Sequence, residues 1–227
     1  MMGIMTRLII LFAWIAIAAL MPAQIPDTEI SNLATLLSFE RGPRPGADPA
    51  GWGGGPVGTI FADNRTVHSG QWSARIERTP QSPSGFSSLT AIIPMDFSGK
   101  TIELHGFLRL EGVGQFVGLW MREDGDTPAL AFDNMQTREV KGTADWREYS
   151  IVLPLVPAAK QLYFGFLLSG TGKAWVDDMR LLVDGKPVWE APKVRRQADG
   201  QALDSGRALT ADRAALPLTR SQSPTDR

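Results

Sequence analysis

Two carboxylates stand side by side in Ala174-Trp175-Val176-Asp177-Asp178-Met179-Arg180-Leu181. Strand alternation predicts Trp175, Asp177, Met179 and Leu181 on one face, which sets a carboxylate among core side chains. An isolated buried charge costs several kcal/mol or more, so this group needs hydrogen bonds, a cation or a raised pKa. If Glu40 meets it, two carboxylates with backbone carbonyls make a hard-oxygen site for Ca2+, which takes about 6 to 8 oxygen ligands. The alternative is that Asp177 caps turn amides or pairs with an arginine. A glycosidase acid and base pair is disfavoured here, because a carboxylate inside the core edge of a sandwich has no room for a substrate.

The second constellation is Gly118-Leu119-Trp120-Met121-Arg122 followed by Leu130-Ala131-Phe132-Asp133-Asn134-Met135. Neighbouring strands would bring Trp120 and Arg122 near Asp133 and Asn134. An aromatic plane beside fork-shaped polar groups suits stacking on a sugar face with hydrogen bonds to its hydroxyls. The competing reading makes Trp120 a core residue and Arg122 with Asp133 a salt bridge between strands.

Other chemistry has little to stand on. The chain of 227 residues has no cysteine and two histidines, His68 and His105. Thiolate nucleophiles, disulfides and Cys-ligated metals are excluded, and a multi-His centre is nearly so. Ser169-Gly170-Thr171-Gly172-Lys173 resembles the end of a phosphate loop, but Ala174 follows the lysine, so a hairpin turn is expected. Ser69 beside His68 is a poor base and nucleophile pair, since neighbours on a turn seldom have that geometry. The formal charge of −1 supplies no strong field for a polyanion, which disfavours nucleic acid as a partner.

The elements that must position these residues are strands. From Leu36 to Val183 short β-like runs alternate with Gly, Pro, Asn and Asp clusters, as in a sandwich or jelly roll. The runs are Leu36–Glu40, Thr59–Ala62, Ser73–Arg78, Phe86–Pro94, Thr101–Leu110, Phe116–Arg122, Ala129–Asn134, Arg147–Leu153, Gln161–Leu168 and Ala174–Val183. Phe116–Arg122 carries large side chains on both faces, so one of them is not ordinary surface. Gly42 to Gly58 reads as a long loop.

Arg7 precedes the apolar run Leu8–Met21 and then Pro22-Ala23, the order of a secretory signal. The run, about 14 residues, falls short of the ~20 of a membrane-spanning helix. The expected organisation is a signal peptide at 1–23, one jelly-roll domain at 32–185 and a flexible tail at 186–227. The location is then periplasmic or secreted, with the membrane reached only through an uncleaved signal anchor.

Leu37-Ser38-Phe39-Glu40, Gly70-Gln71-Trp72-Ser73-Ala74 and Trp175-Val176-Asp177-Asp178-Met179 resemble galactose-binding-like jelly rolls, among them many carbohydrate-binding modules. The resemblance implies a structural calcium held by Glu40 and Asp177, or Asp178 if the parity differs. Gly118–Arg122, Leu130–Met135, Gly142–Trp146 and Phe164–Gly172 are similar to the jelly-roll segment that precedes the catalytic domain of exported tail-specific serine peptidases. Similar segments accompany some bacterial regulators and erythromycin-esterase-like proteins. The resemblance covers about residues 32 to 185, and peptidase activity does not carry over without the catalytic region. Together these readings imply an all-β jelly-roll module that is not an enzyme. Its expected partner is a carbohydrate or cell-envelope glycan, contacted by Trp120, Arg122, Asp133 and Asn134. The rival expectation is an accessory domain that binds an exported protein.

Overall fold

A computed structural model describes residues 27–43, 47–83 and 85–194. The expected signal peptide and most of the expected tail lie outside the described residues. One helix, α1 (Asp27–Leu37), is followed by β1 (Gly53–Gly55), β2 (Ile60–Asp63), β3 (Ser73–Arg78), β4 (Phe86–Pro94) and β5 (Thr101–Val113). Then come β6 (Phe116–Asp124), β7 (Ala131–Asp133), β8 (Gly142–Pro154), β9 (Gln161–Ser169), β10 (Gly172–Val183) and β11 (Lys186–Pro187).

The strands form two antiparallel sheets, a five-stranded one ordered β1-β4-β9-β6-β7 and a six-stranded one ordered β2-β3-β10-β5-β8 with β11 paired to β10. This is the expected all-β jelly-roll sandwich. The period-2 pattern of each strand decides what lies between the sheets. On β9, Leu162, Phe164, Phe166 and Leu168 point into the core and are fully buried. From the other sheet Ile102, Leu104, Leu108, Val176 and Leu181 meet them.

The expected strand Leu36–Glu40 is instead the end of α1 and a turn. Ile30, Leu33 and Leu37 recur at helical spacing, and Leu36 and Leu37 are buried. Phe39 then takes a left-handed conformation, φ 61°, which ends the helix. Its ring stacks on Trp52 at 5.2 Å, and Trp52 meets Phe164 edge-on at 5.7 Å. The Trp52 indole donates to the Leu36 carbonyl at 3.1 Å. The long glycine-rich loop is thus pinned to the core by its tryptophan and contributes β1 to the edge of a sheet. Past Gly185 the described chain continues the fold, with Val188 and Ala191 buried in the core.

Candidate functional site

The outer face of the five-stranded sheet is built by what alternation leaves outside. Val117, Leu119 and Met121 of β6 are fully buried, so Phe116, Trp120, Arg122 and Asp124 point away from the core. Register then sets partners from distant parts of the chain beside them. Phe132 of β7 is opposite Arg122, Arg122 is opposite Tyr163 of β9, and Tyr163 is opposite Ile92 of β4. Strands lie about 4.8 Å apart, so this row of four runs roughly 14 Å across the sheet. Phe132 and Ile92 are 53% and 54% exposed. With Phe86 on the same face of β4, three of the six large apolar side chains exposed among the described residues gather here.

Arg122 is the polar centre of the row. Its guanidinium lies over the Tyr163 ring, 4.8 Å from the centroid, and donates twice to Asp124, from Nε and Nη2, at 2.8 Å each. Desolvation pushes the Asp124 carboxyl up, but the bonds from Arg122 and the Ala129 N–H outweigh it and hold its pKa below the usual range. The Tyr163 hydroxyl donates to Gln161 at 3.0 Å. The next row is Trp120, Gly165 and Thr90. A Cβ at Gly165 would come within 1.9 Å of the Leu89 carbonyl oxygen, so the floor between Trp120 and Thr90 is bare backbone. The Trp120 indole Nε1 is buried and has no hydrogen-bond partner. The face therefore offers aromatic rings and a fixed, planar ion pair around a shallow floor.

Of the residues expected to contact a ligand, Trp120 and Arg122 share this face, whereas Asp133 and Asn134 do not join them. Asp133 is opposite the inward-pointing Met121, so parity turns its side chain away from Arg122. It accepts from the Met135 N–H at 2.8 Å and from Arg138 at 2.9 Å. Asn134 accepts from the Gln136 N–H at 3.1 Å. These are turn-capping bonds of short polar side chains. They bend the chain so that Met135 plugs the core beside β6. Tyr163, Ile92 and Phe132 were missed by the sequence reading. The alternation around Tyr163 was the available signal, since Leu162 and Phe164 leave it outside.

Asp177 is buried, but not by the core. A β-bulge lies between Asp177 and Arg180, with Asp178 at φ 47°. The extra residue reverses the parity: Trp175 and Asp177 lie opposite the outward Arg109 and Phe107, while Met179 and Leu181 are in the core. The expectation that all four share one face is corrected by this bulge. What covers Asp177 is the loop before β3. Its Oδ2 accepts from the N–H groups of His68 at 2.8 Å and Ser69 at 3.2 Å, and its Oδ1 accepts from Asp178 N–H at 2.7 Å. Burial drives its pKa up to about 6 against these bonds, and the neighbouring Asp178 charge adds to the rise.

The same loop is held at two further points. Asp178 takes the His68 ring at 2.6 Å and the Ser69 hydroxyl at 2.9 Å. Glu40 accepts from the N–H groups of Gln71 at 2.8 Å and Trp72 at 3.1 Å. Of the residues expected to hold calcium, Glu40 thus bonds backbone amides through Oε1 and Asp177 through both of its oxygens. Among the described residues there is no group of three or more His, Cys, Asp or Glu that could hold a metal ion. Ser69 bonds Asp178 and not His68, so the pair does not form a base and nucleophile.

No family model matches the chain. A curated relative, the uncharacterized HTH-type transcriptional regulator YbfP of Bacillus subtilis (strain 168), is 36% identical over 145 residues, 63% of this chain and 48% of the regulator. The chain spans about half the length of this relative, which belongs to one of the groups whose segments the sequence resembles. A helix-turn-helix needs two helices in succession, and α1 is the only α-helix among the described residues. Similar solved structures include a xylan-binding domain of carbohydrate-binding module family 22, at TM-score 0.48 and 12% identity over 66% of this chain and 93% of that one. Others are TmCBM61 in complex with β-1,4-galactotriose, at 0.46 and 12% over 65% and 95%, and a cyclase from Fischerella sp. TAU, at 0.47 and 15% over 66% and 94%. The functional reading therefore rests on this chain's own residues.

Proposed function

We propose that the chain is an exported, non-catalytic binding module that takes a carbohydrate or cell-envelope glycan on the outer face of the five-stranded sheet. The observation that carries the reading is the row Phe132, Arg122, Tyr163 and Ile92 beside Trp120 and the bare Gly165 floor. Sugar rings have apolar faces that stack on aromatic planes and hydroxyl edges that need bonds, and a surface mixing both in fixed geometry answers that chemistry. Because Arg122 and Asp124 are already paired, neither must be reorganised before binding.

Protonation supports the non-catalytic part of the reading. Asp124, one row further along opposite Gln161, is ion-paired with Arg122, and a carboxyl held below the usual range is not a general acid near neutral pH. The export part rests on the Leu8–Met21 run. Sedimentation with insoluble polysaccharides and isolated cell-wall glycan tests the proposal. Retention by at least one of them, lost in Phe132→Ala, is the expected result. Retention by none turns the face toward a protein partner.

A further inference from the structure

A second ligand site is built on the other sheet. On its outer face Phe61 of β2, Arg75 of β3, Trp175 of β10 and Arg109 of β5 form one continuous row, aromatic and cationic by turns. Arg75 lies 4.6 Å from the Phe61 centroid and Arg109 5.3 Å from that of Trp175. Where β2 gives way to the Asn64–Thr66 turn, that turn borders an open cleft of about 430 Å3 lined by Asp63, Arg65, Arg75, Lys173 and Trp175 among others.

The hydrogen-bonding capacity of this cleft is unbalanced. Asp63 is the carboxylate in the lining, and it is saturated. Its Oδ1 accepts from the N–H groups of Arg65 at 2.8 Å and Thr66 at 3.0 Å, and its Oδ2 from the Trp175 indole at 3.1 Å. Desolvation raises its pKa, but these bonds and the Arg75 charge outweigh it and keep the group ionised. The donors are not saturated. Arg75 Nε lies 3.1 Å from Asp63 Oδ2 but off the line of a hydrogen bond, and this buried N–H has no partner. Arg65 is exposed and has no ion-pair partner among the described residues. Glu77 and Glu111 hold the outer nitrogens of Arg75 and Lys173, and neither lines the cleft. Formal charge around the cleft is balanced, yet at its surface Arg65 has no acceptor and Lys173 gives its ammonium to Glu111 alone, while Asp63 has no oxygen to spare. An unpaired guanidinium beside a saturated carboxylate suits an acceptor brought from outside.

We propose that this cleft binds an oxyanion carried by a small ligand, a carboxylate or a tetrahedral phosphate or sulfate, through Arg65 and Lys173 beside the Arg75 guanidinium. Guanidinium groups match such oxygens in pairs of parallel bonds. The site lies on the sheet opposite the glycan face and does not depend on that reading.

The test uses the full chain, 15N-labelled, with the indole N–H resonance of Trp175 as reporter, assigned with Trp175→Phe. Sodium glucuronate, inorganic phosphate, glucose and sodium chloride are titrated separately, with the ionic strength of the salts matched. The expected result is a saturable movement of the Trp175 signal with glucuronate, phosphate or both, which identifies the planar or the tetrahedral oxyanion. Glucose and chloride leave it in place, and Arg65→Ala weakens binding by about tenfold or more without changing the melting temperature. No saturable movement overturns the proposal, as does equal movement with glucose or chloride. Affinity unchanged in Arg65→Ala would also overturn it.

Discussion

Replacing Asp177 by asparagine separates what the buried charge costs from what its hydrogen bonds contribute. Asp177 is completely buried, and its pKa rises from the ordinary 3.8 to about 6 because burial penalises the ionised form. That gap corresponds to about 3 kcal/mol at ~1.4 kcal/mol per pH unit. Since the folded value lies above the unfolded one, the folded chain binds the extra proton between these limits. The stability from this group is fully present below 3.8 and is lost as pH rises through about 6. About 2 kcal/mol of the loss falls between pH 4 and 7. Asparagine keeps an acceptor for the His68 and Ser69 amides but turns its NH2 toward the Asp178 N–H, a penalty of about 1 to 2 kcal/mol at any pH. Urea unfolding followed by circular dichroism should therefore show Asp177→Asn costing about 2 kcal/mol more at pH 4 than at pH 7. With an m-value of ~2 kcal/mol/M that difference is about 1 M in midpoint. Midpoints that run parallel from pH 4 to 7 would refute the reasoning and show Asp177 ionising as a solvated carboxyl.

Glu123 points inward from β6, fully buried, with Oε2 on the Val156 N–H at 2.8 Å and Oε1 without a partner. Burial raises its pKa, so its stabilising effect is lost as pH rises; Glu123→Gln should raise the unfolding free energy from urea titration at pH 8, by about 1 kcal/mol, and not at pH 4. Gly165→Ala forces a methyl against the Leu89 carbonyl and should cost about 2 kcal/mol in thermal unfolding, and a neutral result would mean that β4 and β9 separate freely. With Glu40 and Asp177 bonded to amides, EDTA and added calcium should leave the melting temperature unchanged; a calcium-dependent rise would place an ion at these oxygens.

The strand pattern was legible because each run alternates cleanly about the core; Ser73–Arg78 and Phe86–Pro94 have the expected bounds. Trp120 and Arg122 were placed on one face by the same parity. Parity failed where the backbone left its period. One extra residue at Asp178 moved Asp177 from the expected core face to the loop-covered outer face, and nothing in Val176-Asp177-Asp178-Met179 marks a bulge. Asp133 and Asn134 were misplaced because short polar side chains after a strand bond the next turn before they reach a neighbour. The helix at Asp27–Leu37 was hidden by the strand-like Leu36-Leu37-Ser38-Phe39, although Ile30, Leu33 and Leu37 carried its period. Which strands adjoin is set by non-local register, so the meeting of Phe132, Arg122, Tyr163 and Ile92 could not be read from their positions in the chain.

The glycan face is tested most directly by comparing two single substitutions, one on each sheet, on a glycan array. Phe132→Ala and Val152→Ala each remove an exposed side chain, 53% and 54% accessible, so neither should cost more than about 0.5 kcal/mol of stability. The account predicts that the chain binds a glycan, that Phe132→Ala abolishes the binding and that Val152→Ala retains it. Glycan binding that survives Phe132→Ala, or that is lost in Val152→Ala instead, would contradict it.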